Sequence, residues 1–340
     1  MAPALLGAHR EIVCPGCGRN FAVGAEAAAV EREIPCSRCG TPLPRSVGRL
    51  ILGDRVLLDR FTYCTRDPRR LELVAFRSPE GRGELAVKRV LGLPGEELAI
   101  REGDLWVDGR RLQKTRAEFR SQAVLVGDLE PLPADPAGVT RFVYGPVTDD
   151  LPYNGALPHR IASVGDVALE ATIEGSGQGT VELRLPGQRR RRVQIELAAG
   201  VVQLCEGESS VVSSRLPAGE VPLRLWFGHW DGQCELWAGE ERILAAPQST
   251  ADKTTGAPLG SAELVATGQG VRVKRVRLWR DLDLTPAPDR RAAPVDSWQL
   301  GPDEFFVAGD NQAISEDSRT WRRPGLPRGA IVGRPTRWPW

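Results

Sequence analysis

Four cysteines are spaced to bind a single metal ion. They stand as Cys14-Pro-Gly-Cys17 and Cys36-Ser-Arg-Cys39, with eighteen residues between the two pairs, a spacing that suits a four-thiolate zinc site. Each pair is followed by glycine, Gly18 or Gly40, so a tight turn can aim backbone N–H groups at the sulfurs. Four thiolates leave no coordination position for water, so the zinc expected here is structural. The competing reading is two disulfides in a secreted protein. It is disfavoured because the start, MAPALLGAHR, has only a short apolar patch and no cleavable-signal layout. Cys64, Cys205 and Cys234 are scattered and read as small buried hydrophobes.

A second group of chemically capable residues is Asp310, Glu316 and Asp317. As paired carboxylates they could do acid–base or metal chemistry. With Arg319 two residues from Asp317, and the turn formers Gly309 and Asn311 beside Asp310, they read instead as a braced loop. His9, His159 and His229 stand in unrelated contexts, which disfavours a Ser–His–Asp triad or a histidine metal cluster. Gly92 to Gly95 lacks the Lys-Ser/Thr of a phosphate loop.

The elements that must position these groups are short strands. The chain has 340 residues, 41% hydrophobic and 26% charged, with formal net charge +1. No global field then selects nucleic acid or a lipid surface. Abundant glycine (37) and proline (27) punctuate short alternating runs, the pattern of strands and turns. No run approaches the ~18–20 apolar residues of a membrane-spanning helix. Residues 1–45 read as a zinc ribbon and 46–145 as compact strands, with Asp108-Gly109 marking a hairpin. From 146 to 285, runs such as VALEATI, TVELRL and VPLRLWF alternate with period two, as in an antiparallel sandwich. GQRRRR (187–192) reads as a solvated turn, because no aromatic residues interleave with it. A Pro-rich hinge (285–296) leads to a last compact part, 286–340. The fold class expected is mainly β: a ribbon, a split β domain and an inserted sandwich.

Two blocks carry a family pattern. The first is 53-GDRVLLDRF-61 with 87-VKRVLGLPGEELAI-100. The second is 302-PDEFFVAGDNQAISEDSRTW-321 with 331-IVGR-334. Together they resemble the bacterial signal peptidase I family, serine peptidases with a Ser–Lys dyad. The resemblance covers roughly 50–112 and 298–340, and neither the ribbon nor the middle segment belongs to it. The middle segment is similar in texture to a concanavalin- or laminin-G-like sandwich. By the resemblance, Lys88 falls on the general base and Ser315 on the serine that orients it. Asp317 and Arg319 fall on a bracing ion pair, and Gly309, Asp310 and Asn311 on the turn that holds the wall. A lysine can accept a proton at neutral pH only if desolvation pulls its pKa down from ~10.4.

The attacking serine of the family, in S-M-x-P-T, would fall on Arg45, eight residues before Gly53; Ser46 is one place off. The motif's proline and threonine would fall on Gly48 and Arg49. A one-residue slip on a strand turns a side chain to the opposite face, so Ser46 is a weak nucleophile candidate. The resemblance therefore implies a signal peptidase I-like protein, impaired or inactive as a hydrolase. The alternative is a binding or assembly module. Expected partners are an extended peptide or signal-peptide segment in the cleft, and carbohydrate or protein on the sandwich; nucleic acid is not expected. Trp226, Trp230 and Trp237 could stack on sugar, although apolar strands around them point to core packing. The chain is expected in the cytoplasm, with its thiolates reduced and any membrane association indirect.

Overall fold

In a computed structural model of the chain, the residues described are 1–25, 33–36, 39–44, 46–80, 83–129, 134–154, 161–175, 178–186, 191–217, 222–247, 260–285 and 297–337. Residues 187–190 of the arginine run, the hinge 286–296, His159 and 338–340 lie outside them. The fold is mainly β, with multiple antiparallel sheets. It forms two compact units. One holds 1–112, 150–161 and 283–340; the other holds 113–149 and 162–282.

The first unit opens with β1 (His9–Val13), β2 (Asn20–Gly24), β3 (Glu33–Pro35), β4 (Pro42–Pro44) and β5 (Arg49–Ile51). β1 pairs with both β2 and β5, and β3 with β4. Ile12, Phe21, Val23, Ile34 and Leu43 pack with Cys14 and Cys36 into a small core of their own. After Gly53 come β6 (Val56–Asp59), the short α1 (Thr62–Thr65), β7 (Leu73–Arg77), β8 (Leu85–Gly92), β9 (Glu97–Arg101), β10 (Asp104–Val107) and β11 (Arg110–Arg111). The expected hairpin at Asp108-Gly109 joins β10 to β11.

The second unit has α2 (Arg116–Gln122), β12 (Val124–Leu129), β13 (Val139–Tyr144), β14 (Val167–Glu174), β15 (Thr180–Arg184), β16 (Arg191–Glu196) and β17 (Val201–Glu206). It continues with β18 (Ser209–Arg215), β19 (Leu223–Trp230), β20 (Gln233–Ala238), β21 (Glu241–Pro247), β22 (Ala262–Thr267) and β23 (Arg272–Arg280). Its six-stranded sheets run β12-β23-β14-β19-β20-β21 and β13-β22-β15-β16-β17-β18. Period-two alternation sends Leu225, Phe227 and Leu236 into one apolar core with Val181, Val193 and Leu264. The opposite register positions of β19, Trp226 and Trp230, are buried too, because Phe119 of α2 packs on both rings at centroid distances of 6.0 and 5.0 Å. Trp237 is half-buried, with the Arg116 guanidinium over its ring. Core packing is therefore the state of Trp226 and Trp230.

The sandwich starts earlier than its texture indicates. Sequence placed its edge at 146, but β12 and β13 are strands of its two sheets, so the unit starts at Gln113. Residues 150–161, read as sandwich, belong to the first unit. Asn154 and Asn311 hydrogen-bond each other there through both side-chain amides.

The chain ends in the first unit with β24 (Trp298–Gln299), β25 (Glu304–Ala308), β26 (Leu326–Pro327) and β27 (Ile331–Arg337). The main sheet is β26-β25-β8-β7-β27-β6, and a smaller one is β11-β10-β9-β24. β25 from Phe305 to Ala308 and β8 from Arg89 to Gly92 are buried on both faces. Val90, Phe305 and Val307 enter one apolar cluster, while Leu91, Phe306 and Ala308 enter another. With apolar residues on both faces, hydrophobic patterning alone does not fix the register here, because a one-residue slip would exchange one apolar face for another.

Phe119→Ala should uncover Trp226 and Trp230 and cost about 3–5 kcal/mol. A urea titration read by tryptophan fluorescence checks this; an unchanged midpoint would contradict the described role of α2.

Candidate functional site

β8 brings Lys88 opposite Val74 of β7, and Arg89 opposite both Leu73 of β7 and Ala308 of β25. The turn Gly309–Asn311 follows β25 directly. Arg89 reaches it with a two-bond fork, Nε to Asp310 Oδ1 at 2.8 Å and Nη2 to Oδ2 at 2.7 Å, and Nη1 donates to the Leu71 carbonyl at 2.7 Å. Both partners are buried. The turn then carries the chain back so that Ser315 meets Lys88, whose Nζ donates to Ser315 Oγ at 2.6 Å.

A second fork closes the loop. Arg319 Nε and Nη2 each donate to an Asp317 oxygen at 2.8 Å, and Asp317 Oδ2 accepts the Gly309 N–H at 2.9 Å. Arg319 Nη1 also donates to Gln312 Oε1 at 2.7 Å. Asp310 and Asp317 are thus each committed to an arginine, and Glu316 is exposed. The carboxylates form a brace, as the sequence suggests, and no paired acid–base set. Gly309 is required by proximity: a Cβ there would lie 2.1 Å from Ser315 Oγ and 3.2 Å from Lys88 Nζ. The Arg89–Asp310 fork was not assigned from sequence. Its trace there is Arg89, which with Lys88 interrupts the apolar run of β8, and Asp310 in the turn two residues beyond β25.

Burial is the largest influence on Lys88 and holds its pKa below the ordinary lysine value. Asp317 opposes this, Arg319 adds to it, and Glu316 and Asp310 oppose it. Burial works the other way on Asp317, raising its pKa, but the Arg319 hydrogen bonds and charge together with the Gly309 N–H outweigh it and keep the carboxyl below its usual range. The site thus holds an amine biased toward neutrality beside a firmly ionised carboxylate.

Among the described residues, the hydroxyl in hydrogen-bond contact with Lys88 Nζ is that of Ser315. Ser46 is exposed on the turn between β4 and β5, and Val47 beside it packs against the ribbon core. Arg45 lies outside the described residues. Gly48, where the motif's proline would fall, has φ +88°, and a Cβ on it would meet the Glu11 carbonyl oxygen at 2.2 Å. Proline is locked near φ −65° and cannot take this position. Residues 49–51 are paired to Glu11, Arg10 and His9 of β1. The stretch before Gly53 is therefore a strand of the ribbon sheet.

The four ribbon cysteines are free thiols. Their sulfurs all lie within 4.8 Å of one another, Cys14 to Cys39 at 3.5 Å and Cys17 to Cys36 at 3.7 Å, a group that could hold a metal ion. The two pairs are built alike. The Gly18 and Gly40 N–H groups donate at 2.8 Å to the carbonyls of Cys14 and Cys36. Thr41 Oγ1 lies 3.1 Å from Cys39 Sγ.

Comparison with known proteins agrees on part of this. Residues 46–140 match the family described as "Signal peptidase, peptidase S26". A probable signal peptidase I-2 of Synechocystis sp. is 31% identical over 70 residues, 19% of this chain and 32% of that protein. Signal peptidase I of Pseudomonas fluorescens is 30% identical over 103 residues, 29% of this chain and 34% of that protein. The chain spans about a third of the length of these relatives. Among solved structures, a Caenorhabditis elegans galectin, LEC-6, has a TM-score of 0.28 and 11% identity, covering 44% of this chain and 94% of that one. The CBM40 module of a Ruminococcus gnavus sialidase, bound to sialyllactose, has a TM-score of 0.30 and 15% identity, covering 46% and 93%. Among the described residues no helix is long and apolar enough to cross a membrane.

The lowered pKa of Lys88 has a consequence for stability. Between that lowered value and the unfolded lysine value of ~10.4, the unfolded chain binds more protons, so stability rises with pH across the window. Below the window the cost of burying the charged amine is present in full. Lys88→Met should therefore raise the melting temperature at pH 7, and the gain should shrink as pH approaches 10. A gain that grows with pH would contradict the burial described.

Proposed function

We propose that this chain is a signal-peptidase-like protein without hydrolytic turnover, whose Lys88 site receives an extended peptide segment. The carrying observation is that, among the described residues, Ser315 is the hydroxyl on the Lys88 amine, while the stretch expected to bring an attacking hydroxyl is paired into the ribbon. Proton abstraction needs the nucleophile within about 3 Å of the base, and Ser46 is not there. Lys88 keeps the position of the general base and Ser315 that of its orienting partner. Asp317, Arg319, Asp310, Gly309 and Asn311 keep the wall around them. A peptide main chain supplies carbonyls and N–H groups that a partly desolvated amine and the nearby backbone can meet.

The ribbon holds a structural zinc ion in this reading. Zn–S bonds of ~2.3 Å in a tetrahedron set sulfur–sulfur separations of about 3.8 Å, and the two short pairs here are close to that. Cys14, Cys17, Cys36 and Cys39 would hold the ion and leave no site for water. Free thiols of this kind suit a reducing compartment. For the sandwich, the burial of Trp226 and Trp230 removes two of the three ring faces that would favour sugar stacking.

Purified protein should leave a signal-peptide substrate uncut, as should Lys88→Ala and Ser46→Ala, while fluorescence anisotropy shows the unaltered chain binding the peptide. Cleavage lost in both variants would establish a serine–lysine hydrolase and overturn the proposal. Elemental analysis should give about one zinc per chain, and Cys36→Ser should lose it; a full metal load in that variant would sink the four-thiolate assignment.

A further inference from the structure

Ser315 has the surroundings of a reactive hydroxyl as well as those of an orienting one. Its Oγ is joined to Lys88 Nζ at 2.6 Å and also hydrogen-bonds the Asp317 carboxylate. The residue is 7% exposed, yet Ile314 before it and Glu316 after it both face solvent. At this separation a proton can pass between hydroxyl and amine. An ionised amine donates to the oxygen and makes it a poor nucleophile, whereas a neutral amine takes the hydroxyl proton and makes it a good one. Burial favours the neutral amine. Asp317 is the weaker proton acceptor of the two, because the Arg319 fork and the Gly309 N–H already hold its charge.

We infer that Ser315 is itself an acyl acceptor, taking a small acyl group from an activated ester while Lys88 receives its proton. Ser315 Oγ attacks the ester carbonyl carbon, and its proton moves to Lys88 Nζ. The bond from that carbon to the leaving oxygen breaks, the alkoxide or phenolate departs with the electron pair, and a serine ester remains. The near-burial of Ser315 restricts the donor to a small acyl group. Gly309 packs against the hydroxyl, but its N–H is committed to Asp317 and is not free to hold the oxygen charge of a tetrahedral intermediate. The transfer is accordingly slow and needs a good leaving group. It needs no bound peptide and shares with the peptide reading only the Lys88 site.

Labelling with p-nitrophenyl acetate, read by peptide mass analysis, tests this. The unaltered chain should gain an acetyl group on Ser315. Ser318, equally buried but with its Oγ accepting the Val307 N–H, should gain none, and neither should the exposed Ser209. Lys88→Met and Lys88→Arg should each slow the acetylation of Ser315 by about a hundredfold or more, since neither side chain can take the proton. A rate kept by the arginine variant would show that position 88 only holds the hydroxyl in place, and would overturn the inference. So would an unmodified Ser315, or an acetyl group on Lys88 or Ser46 in its stead. The unaltered chain guards against a misfolded variant: in urea its Ser315 should react no faster than Ser209, and equal Ser315 rates in the folded and unfolded chain would also overturn the inference. Steady nitrophenolate release that is lost in Ser315→Ala would support the acceptor and sink the absence of turnover proposed above.

Discussion

The site depends on one buried ion pair, Arg89 with Asp310. The two residues are 221 positions apart and lie on either side of the sandwich in sequence. Taking both charges out of water costs several kcal/mol per ion, which only good geometry and further hydrogen bonds offset. Here the fork has two bonds, and the remaining Arg89 nitrogen has a carbonyl partner. Removing one partner of such a pair typically costs about 3–5 kcal/mol, because the other charge is left buried alone. The pair therefore acts less as glue than as a register mark. It admits one alignment of β8 with the turn after β25, and that alignment puts Lys88 against Ser315. The Arg319–Asp317 fork repeats the device a few residues on, and Gly309 leaves room for Ser315 and Lys88 to meet.

Much of this was legible in the sequence, because the motif residues are local to two strands and one turn. Lys88, Ser315, Asp317 and Arg319 could be placed by pattern, as could the four cysteines with their following glycines. What escaped was long-range. Nothing near Asn154 announces its exchange of hydrogen bonds with Asn311, and a proline-interrupted stretch hid β12 and β13 as strands of the sandwich. Leu6 and Asp54 look ordinary until the chain brings them together. Tertiary pairing of this kind leaves no periodic trace, so neither alternation nor composition can report it.

The sandwich teaches a related lesson about aromatic residues. A strand with tryptophans at alternate positions offers a flat apolar face, which suits a sugar ring or a packed helix equally well. In this chain α2 covers the face, aided by a capping box in which Thr115 and Glu118 satisfy the first turn. Trp230 turns its indole N–H to the Lys114 carbonyl at 2.8 Å, which satisfies the donor inside the fold. Fold class alone could not have chosen between the two uses.

The pairing of β5 with β1 also decides which changes the stretch from Gly48 to Ile51 can absorb. Three of its residues are paired to β1, and Gly48 sits in the left-handed region with its Cα against the Glu11 carbonyl. Any side chain at position 48 meets that carbonyl, and proline is excluded by its fixed φ as well. Arg49 and Leu50, by contrast, are exposed, so their side chains can be exchanged at little cost while the backbone beneath them cannot move.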